Sequence, residues 1–169
     1  MAVRPSNLLD SEHPAVSCRG VWKIFGRTDI GSPEALTDDD AYLRAKGLTV
    51  ALRDITINVR RGEVFVLMGL SGCGKSTLVR CLTHLGPATS GSILIDDRDI
   101  AKLDTDELRI LRRDRMGMVF QDFALMPHKS VVGNISFPLE VAGAPEGDIR
   151  KRVNELIQLV GLTGRETYY

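Results

Sequence analysis

The amino-acid sequence predicts an α/β fold built around a strand, a glycine-rich loop and a helix that follow one another. Residues 64–68 (VFVLM) are apolar without alternation, which is typical of a parallel strand buried on both faces. Residues 69–77 (GLSGCGKST) match G-x-x-x-x-G-K-[ST], the pattern of a phosphate-binding loop. Residues 76–85 have a helical composition. A strand, a glycine turn and a helix in this order are the context that such a loop requires.

The residue types of the loop suit a nucleoside triphosphate and its magnesium ion. Glycines lack a Cβ, so the backbone can adopt positive φ and direct its N–H groups at phosphate oxygens. The lysine would reach the β- and γ-phosphates, and the hydroxyl that follows it would hold Mg²⁺. The predicted nucleotide contacts are Gly69, Ser71, Gly72, Cys73, Gly74, Lys75, Ser76 and Thr77. Among these, Lys75 is the candidate catalytic residue and Ser76 a candidate metal ligand.

Composition narrows the possible partners and compartments. The 22 basic and 22 acidic residues cancel, so no overall positive field favours nucleic acid, and we expect no nucleic-acid partner. The three cysteines are scattered, which is typical of free thiols in a reducing compartment. No apolar run approaches the ~20 residues of a membrane span, and the first ten residues lack a signal-peptide core. A cytoplasmic protein is therefore expected.

The N-terminal third is expected to contain two strands with an insert between them. Residues 1–14 are polar and unpatterned, and we predict a mobile tail. A strand is predicted from residue 15 to Phe25, whose ring could stack on a nucleotide base or simply pack under the strand end. Residues 31–47 look like an inserted, charged helix that ends at a glycine. Residues 49–59 alternate in part, as a strand with one wet face does.

Two interpretations remain open for residues 92–97 (SILIDD), which follow the helix of the loop. An apolar run that ends in acids resembles a strand that holds Mg²⁺, in which case Asp96 would be the ligand. The glycine before the run and the turn-like residues after it also suit an outer β-hairpin.

The rest of the chain is predicted to hold a second buried strand and three helices. A short helix begins after Asp104, with Glu107 completing a capping-box pattern. Residues 116–120 (MGMVF) are predicted as a buried strand that ends at Gln121, where open α/β sheets bind ligands. Gln121 could ligate Mg²⁺ and orient the attacking water. Residues 131–141 are predicted as a helix in which Pro138 makes a kink or a break, and residues 148–160 as an amphipathic helix capped by a glycine.

These motifs, in their order, resemble those of the nucleotide-binding subunits of ATP-binding-cassette (ABC) transporters. The matching pieces are residues 21–26 (VWKIFG), 69–77, 119–121 (VFQ), 123–128 (FALMPH) and Asn134. The resemblance covers residues 16–169. More narrowly, the chain is similar to the ATPase subunit of glycine betaine/proline importers, the quaternary-amine class. The acidic insert at residues 31–47 and the 123–128 segment carry this narrower resemblance.

The resemblance implies a P-loop nucleoside-triphosphatase fold of ABC ATPase type, with an antiparallel β subdomain and the start of a helical subdomain. It implies a partial nucleotide-binding core over residues 15–130 and a helical subdomain over 131–169. Phe25 would stack on adenine. Ser76 and Gln121 would ligate Mg²⁺, and Gln121 would join Lys75 as a catalytic residue. Asp96 would belong to the outer antiparallel sheet, so the hairpin is favoured.

Partners follow from the same resemblance. Residues 123–128 would receive the coupling helix of a transmembrane permease, and a second ATPase subunit would complete the hydrolytic site. A substrate-binding protein would act indirectly, and the chain would sit on the inner face of the cell membrane. The family's Leu-Ser-Gly-Gly-Gln signature, its Asp-Glu strand and its switch histidine do not occur in the sequence. We therefore expect a truncated chain that binds ATP and Mg²⁺ without turning ATP over.

Two other functions compete with this hypothesis. A small phosphate-loop kinase would use Asp96 for Mg²⁺ and transfer phosphate to a small acceptor. A non-catalytic module would only occupy a permease surface.

Overall fold

The computed structural model describes residues 14–26, 40–121 and 123–169. The strands are β1 Val16–Phe25, β2 Thr49–Val59, β3 Ser90–Ile95 and β4 Arg98–Asp99. The α-helices are α1 Asp40–Ala45, α2 Lys75–Leu82, α3 Thr105–Arg115, α4 Val131–Val141 and α5 Glu146–Leu159, and a 3₁₀ turn covers Ile100–Lys102. The chain divides into two compact units, residues 1–112 and 113–169.

The first unit is organised around β1, which pairs antiparallel with β2 on one edge and with β3 on the other. The sheet order is β2-β1-β3-β4. Val16 of β1 lies opposite Val59 of β2 and Ile95 of β3. The predicted strands at 15–25 and 49–59 are confirmed. Apolar side chains of the sheet and of α2 form the core, including Cys18, Val21, Leu52, Ile93, Leu78 and Cys81.

The insert is described only from residue 40 onward. Leu43 of α1 is buried with Ile24 and Leu48, so this short helix closes the end of the β1–β2 pair. The Leu48 amide donates to the Leu43 carbonyl at 2.9 Å, which ends the helix next to Gly47 as predicted. The predicted start of the insert and the predicted tail fall on residues 31–39 and 1–13, outside the described residues.

The predicted β-hairpin is confirmed by β3 and β4, where Leu94 lies opposite Asp99. Asp96 and Asp97 connect the strands with φ of 46° and 63°. Left-handed conformations at both central residues are those of the tight hairpin turns that match strand twist. The Asp96 carboxylate forms an ion pair with Arg61. Asp96 is therefore a turn residue of the outer sheet.

The prediction of buried strands at residues 64–68 and 116–120 is wrong. Residues 64–68 and 116–120 have no strand pairing in the structure. Val64 and Met68 are 88% and 86% exposed, and Val119 is 88% exposed. A strand requires a neighbour that accepts its hydrogen bonds, and the strands of the described residues pair only among themselves, in the antiparallel sheet. The apolar runs predicted burial, but they did not specify a neighbouring strand with which to pair.

Helix α3 begins with the predicted capping box. The Glu107 amide donates to the Asp104 carboxylate at 2.8 Å, and the Asp104 amide donates to the Glu107 carboxylate at 3.1 Å. Farther along the helix, Arg112 donates to the carbonyls of Thr83 and His84, both at 2.9 Å. The guanidinium thereby satisfies carbonyls that the C-terminus of α2 leaves without partners.

The second unit contains α4 and α5, which pack against each other. Ser130 caps α4 by accepting a hydrogen bond from the Gly133 amide at 3.3 Å. Val153 and Ile157 are the buried residues of α5, as its periodicity predicted. Val160, predicted on the same buried face, is 57% exposed because the helix ends one residue earlier. Among the helices of the described ranges, none has both the length and the apolar character needed to cross a bilayer.

Candidate phosphate-binding site

Helix α2 begins inside the predicted phosphate-binding loop. Its N-cap is Gly74, which offers no side chain, so no side-chain oxygen caps the helix. The amides of Lys75, Ser76 and Thr77 therefore have no acceptor within the helix. The first turn also contains no acidic residue. Free amides and the positive end of the helix dipole make this terminus suited to an anion.

The loop lies close against β2. Gly74 has φ of 93°, and a Cβ added there would lie 2.4 Å from the Ala51 carbonyl oxygen. It would also lie 3.1 Å from Cδ2 of Leu52. Only glycine combines this conformation with such a close approach. The second glycine that the motif requires, Gly74, is thus explained by packing as well as by φ.

Lys75 extends back across the loop that precedes it. Its Nζ donates to the carbonyls of Gly69 at 2.8 Å and Leu70 at 2.6 Å, and lies 3.4 Å from the Cys73 sulfur. No carboxylate forms an ion pair with Lys75 in the part of the chain that the structure describes. The ammonium therefore braces the loop while its charge remains available to an anion.

Phe25 lies at the end of β1 and is 49% exposed. It pairs with Thr49, two residues before the Ala51 carbonyl that Gly74 approaches. Two residues of strand span about 7 Å, so the aromatic ring and the loop lie along the same part of β2. A cavity of about 370 Å³ is lined there by Val50, Ala51, Leu52, Arg53, Ile55 and Cys73. Its size is in the range of small-molecule sites.

Lys23 is a neighbour of Phe25 that the sequence did not single out. Its Nζ lies 5.2 Å from the centroid of the Phe25 ring and donates to the Pro87 carbonyl at 2.6 Å. The sequence contained one indication of this contact: Lys23 and Phe25 are two residues apart in a strand, and such residues share a face. The cation covers one face of the ring, at a distance where it is attracted by the π electrons.

The structure brings the loop residues together but does not test the predicted metal pair. Ser76 is exposed at the start of α2 in the first unit, and Gln121 is exposed in the second unit. Their joint role therefore stays a prediction. Within the described ranges, no group of three or more His, Cys, Asp or Glu side chains could hold a metal ion. That finding does not bear on a site made of a hydroxyl, an amide and phosphate oxygens.

The three thiols are expected to differ sharply in reactivity. Cys18 and Cys81 are 0% and 1% exposed, whereas Cys73 is exposed in the loop. Burial, with a smaller effect of Cys81, raises the pKa of Cys18 to about 11, and burial also raises the pKa of Cys81. The thiolate is the reactive form of cysteine. We therefore expect a disulfide reagent to modify Cys73 rapidly in the native chain and Cys18 and Cys81 slowly. ATP-Mg is expected to slow that reaction.

Thiol titration with absorbance detection measures this difference. The control is Cys73→Ala, which should remove the rapid phase and leave the slow one. Comparable rates for two or three thiols in the native protein would contradict the burial of Cys18 and Cys81.

Stability is expected to fall as the pH drops below about 6.5, because of His84. Burial, with a smaller effect of Arg112, lowers the pKa of His84 in the folded state. The unfolded chain therefore binds a proton at a higher pH than the folded chain does. The contribution of neutral His84 is complete above the unfolded pKa and is lost as the pH falls toward the folded pKa. Urea denaturation between pH 5 and 7.5 measures the slope.

His84→Asn is the matched variant for this measurement. His84 has φ of 53°, and asparagine tolerates that conformation. The variant should show a flatter dependence of unfolding free energy on pH across the same window. If the pH dependence of the unfolding free energy is unchanged in His84→Asn, then a group other than His84 causes it.

Comparison with protein families gives a match over most of the chain. Residues 52–168 match the family model described as ABC transporter. The chain is 48% identical over 158 residues to the trimethylamine N-oxide transport system ATP-binding protein TmoW of Ruegeria pomeroyi, covering 92% of this chain and 46% of that protein. It is 45% identical to TmoW of Pelagibacter ubique, with the same coverage. It is 49% identical over 119 residues to the methionine import ATP-binding protein MetN 2 of Bacillus cereus, covering 70% of this chain and 35% of that protein.

Solved structures give the same fold. The chain is similar to the ATP-binding cassette MJ0796, solved as a dimer in a post-hydrolysis state with ADP and Pi, with a TM-score of 0.71 and 29% identity. That match covers 91% of this chain and 60% of the cassette. For cbiO1 of Clostridium perfringens the TM-score is 0.68 and the identity 28%, covering 93% of this chain and 54% of that one. The chain thus spans about half the length of the curated relatives it matches. The predicted fold class is confirmed.

Proposed function

Because the chain belongs to the ABC transporter family, we propose that it forms the nucleotide-binding part of the ATP-binding subunit of an importer. The observation that carries the proposal is the loop at the uncapped start of α2, with Lys75 braced inside it. Free amides, a helix dipole and a cation without a carboxylate partner are the groups that a polyphosphate requires.

Each predicted site residue has a role in this function. The amides at the start of α2 and Lys75 bind the phosphates, and the Ser76 hydroxyl and the Gln121 amide hold Mg²⁺. Phe25 offers an exposed ring for the adenine base. A magnesium ion held there would neutralise phosphate charge. Lys75 and Gln121 are the residues to which we assign catalytic roles, Lys75 through the γ-phosphate and Gln121 through the attacking water.

The transported solute that we propose differs from the class predicted from the sequence. Glycine betaine, proline and a role in osmoprotection receive no support, since the relatives compared above are named for trimethylamine N-oxide and methionine. We propose trimethylamine N-oxide. The alignment with TmoW covers 92% of the chain and therefore includes the insert at residues 31–47, whereas the alignment with MetN 2 covers 70%. Trimethylamine N-oxide shares the trimethylated nitrogen of the quaternary amines.

The proposed assembly contains a permease, a second ATP-binding subunit and, indirectly, a substrate-binding protein. The support is that the curated relatives are named as ATP-binding proteins of transport or import systems and that the MJ0796 cassette was solved as a dimer. Residues 123–128 receive the coupling helix of the permease in this assembly, at the inner face of the membrane. We also propose residues 15–130 as the partial core, with the insert at 31–47, and 131–169 as the start of the helical subdomain.

Nucleotide binding and transport together test this function. Titration calorimetry with ATP-Mg should show one site on the chain. A strain that expresses the complete subunit with its permease should take up labelled trimethylamine N-oxide in an ATP-dependent manner. Failure of the chain to bind ATP-Mg would contradict the nucleotide site, and uptake of methionine alone would contradict the solute.

The kinase alternative is less favoured because Asp96 lies in the β3–β4 turn, paired with Arg61. Asp96→Ala is therefore expected to leave ATP affinity unchanged within about threefold, less than one hydrogen bond to a charged group contributes. Transfer of phosphate to a small acceptor that Asp96→Ala abolishes would revive that alternative.

A further inference from the structure

Residues 123–130, which lead into α4, form a loop with a defined backbone. We call residues 123–130 the 123–130 loop. Its first two residues, Phe123 and Ala124, have φ of 60° and 48°, and the Phe123 amide donates to the Phe120 carbonyl at 3.0 Å. At the other end, the Lys129 amide donates to the Met126 carbonyl at 3.0 Å. Phe123 and Leu125 are 73% and 67% exposed, so the loop presents apolar side chains to the outside.

Asn134, in the first half of α4, binds the backbone of this loop through both ends of its amide. Its Oδ1 accepts a hydrogen bond from the Met126 amide at 2.8 Å. Its Nδ2 donates to the carbonyls of Met126 at 3.1 Å, Lys129 at 2.9 Å and Ser130 at 3.1 Å. An asparagine amide has two donor hydrogens, so the three carbonyls share them. Met126 is the one residue held at both its N–H and its C=O.

The helix that carries Asn134 is itself anchored. The amides of Val131 and Val132 donate to the carbonyls of Tyr168 at 2.8 Å and Glu166 at 3.1 Å. The start of α4 is therefore a fixed support, and a side chain that extends from it can impose a shape on the loop.

The two ends of the loop are held in different ways. Lys129 reaches α4 independently, with its Nζ 3.6 Å from a Glu140 oxygen and 5.0 Å from the centroid of the Phe137 ring. Apart from the Lys129 amide within the loop itself, Asn134 is the group among the described contacts that binds the backbone at Met126, next to Leu125. The contribution that belongs to Asn134 alone is thus the placement of the apolar part of the loop.

We propose that Asn134 is a positioning residue that holds the 123–130 loop in the conformation in which Phe123 and Leu125 contact the permease. The proposal rests on the function proposed above. Asn134 binds only backbone atoms of the loop, so the apolar side chains remain free for the partner. A loop that is ordered before association loses less conformational entropy when it binds. Removing the Asn134 amide therefore weakens permease binding while the phosphate-binding loop stays intact.

The experiment uses the complete ATP-binding subunit, alone and with its permease in detergent. Asn134→Ala is compared with Ser136→Ala, a substitution in the same helix. The Ser136 hydroxyl binds Gly133 and Glu140 and makes no hydrogen bond to the loop. Hydrogen exchange at the Met126 amide, affinity for the permease and affinity for ATP-Mg are measured. Asn134→Ala should speed exchange at Met126 about tenfold or more and weaken permease binding about tenfold or more, as the loss of more than one net hydrogen bond does. ATP affinity should stay within about twofold, a change smaller than one net hydrogen bond.

Asn134→Asp keeps an oxygen for the Met126 amide and loses the donors to the three carbonyls. It is expected to weaken permease binding as well, and it serves if Asn134→Ala does not fold. Equal losses of permease binding for Ser136→Ala and Asn134→Ala would overturn the positioning role, because both variants would then act through the helix. Unchanged permease binding in Asn134→Ala would overturn it also. If the wild-type subunit does not bind the permease, the proposed function fails, and exchange at Met126 still tests whether Asn134 holds the loop.

Discussion

Replacing Lys75 with alanine is expected to weaken the binding of ATP-Mg by about a hundredfold or more. Hydrogen bonds between a charged donor and a phosphate contribute about 1.5–3 kcal/mol each, and Lys75 is expected to make two, to the β- and γ-phosphates. The side chain also braces the loop through the carbonyls of Gly69 and Leu70. The variant loses both effects, so the loop is less ordered and less positive. Titration calorimetry with ATP-Mg measures the affinity.

The control for charge is Lys102→Ala. Lys102 belongs to the same unit, its side chain is 81% exposed, and its ion pair with Asp99 is 3.5 Å long. This variant removes the same formal charge without touching the loop, so its ATP affinity should stay within about threefold, since an exposed pair contributes little. If Lys75→Ala binds ATP-Mg as tightly as Lys102→Ala does, then Lys75 does not contact the phosphates, and the nucleotide binds elsewhere.

The parts of the site that the sequence predicted are those determined by local chemistry. The pattern at residues 69–77 requires glycine where the backbone is left-handed, and Gly74 has that conformation at the start of α2. The Asp104 capping box and the glycine that follows α5 are likewise local signals, and both are confirmed. The β3–β4 hairpin needed more, because its sequence suited two interpretations until the positive φ of Asp96 was known.

The features that the sequence did not predict depend on distant parts of the chain. The apolar runs at 64–68 and 116–120 predicted burial, but pairing depends on a neighbouring strand that a local pattern does not specify. The position of Lys23 above the Phe25 ring likewise depends on a distant residue, because the Pro87 carbonyl fixes the ammonium. The role of Gln121 was inferred from the family resemblance alone, because Gln121 and Ser76 belong to different units.

Replacing Gly74 with alanine is expected to disrupt both the fold and the site. The residue has φ of 93°, and the new Cβ would meet the Ala51 carbonyl oxygen at 2.4 Å. A backbone oxygen cannot move aside as the end of a flexible side chain can, so the loop must separate from β2. We expect a loss of about 2–4 kcal/mol in the free energy of unfolding, from left-handed strain and steric overlap together. Urea denaturation measures the loss, and ATP-Mg binding should fall with it.

Gly72→Ala separates the two causes. Gly72 also has positive φ, at 80°, but nothing lies within 4 Å of an added Cβ. Its substitution carries only the left-handed strain of about 1–2 kcal/mol. The difference between the two variants therefore measures the contact between the loop and β2. Because Ala51 lies two residues beyond the strand partner of Phe25, that contact also sets the spacing between the phosphates and the proposed adenine-stacking ring. Equal losses for the two variants would mean that the loop does not rest on β2 in solution, and the assignment of Phe25 to the same ligand would lose its structural support.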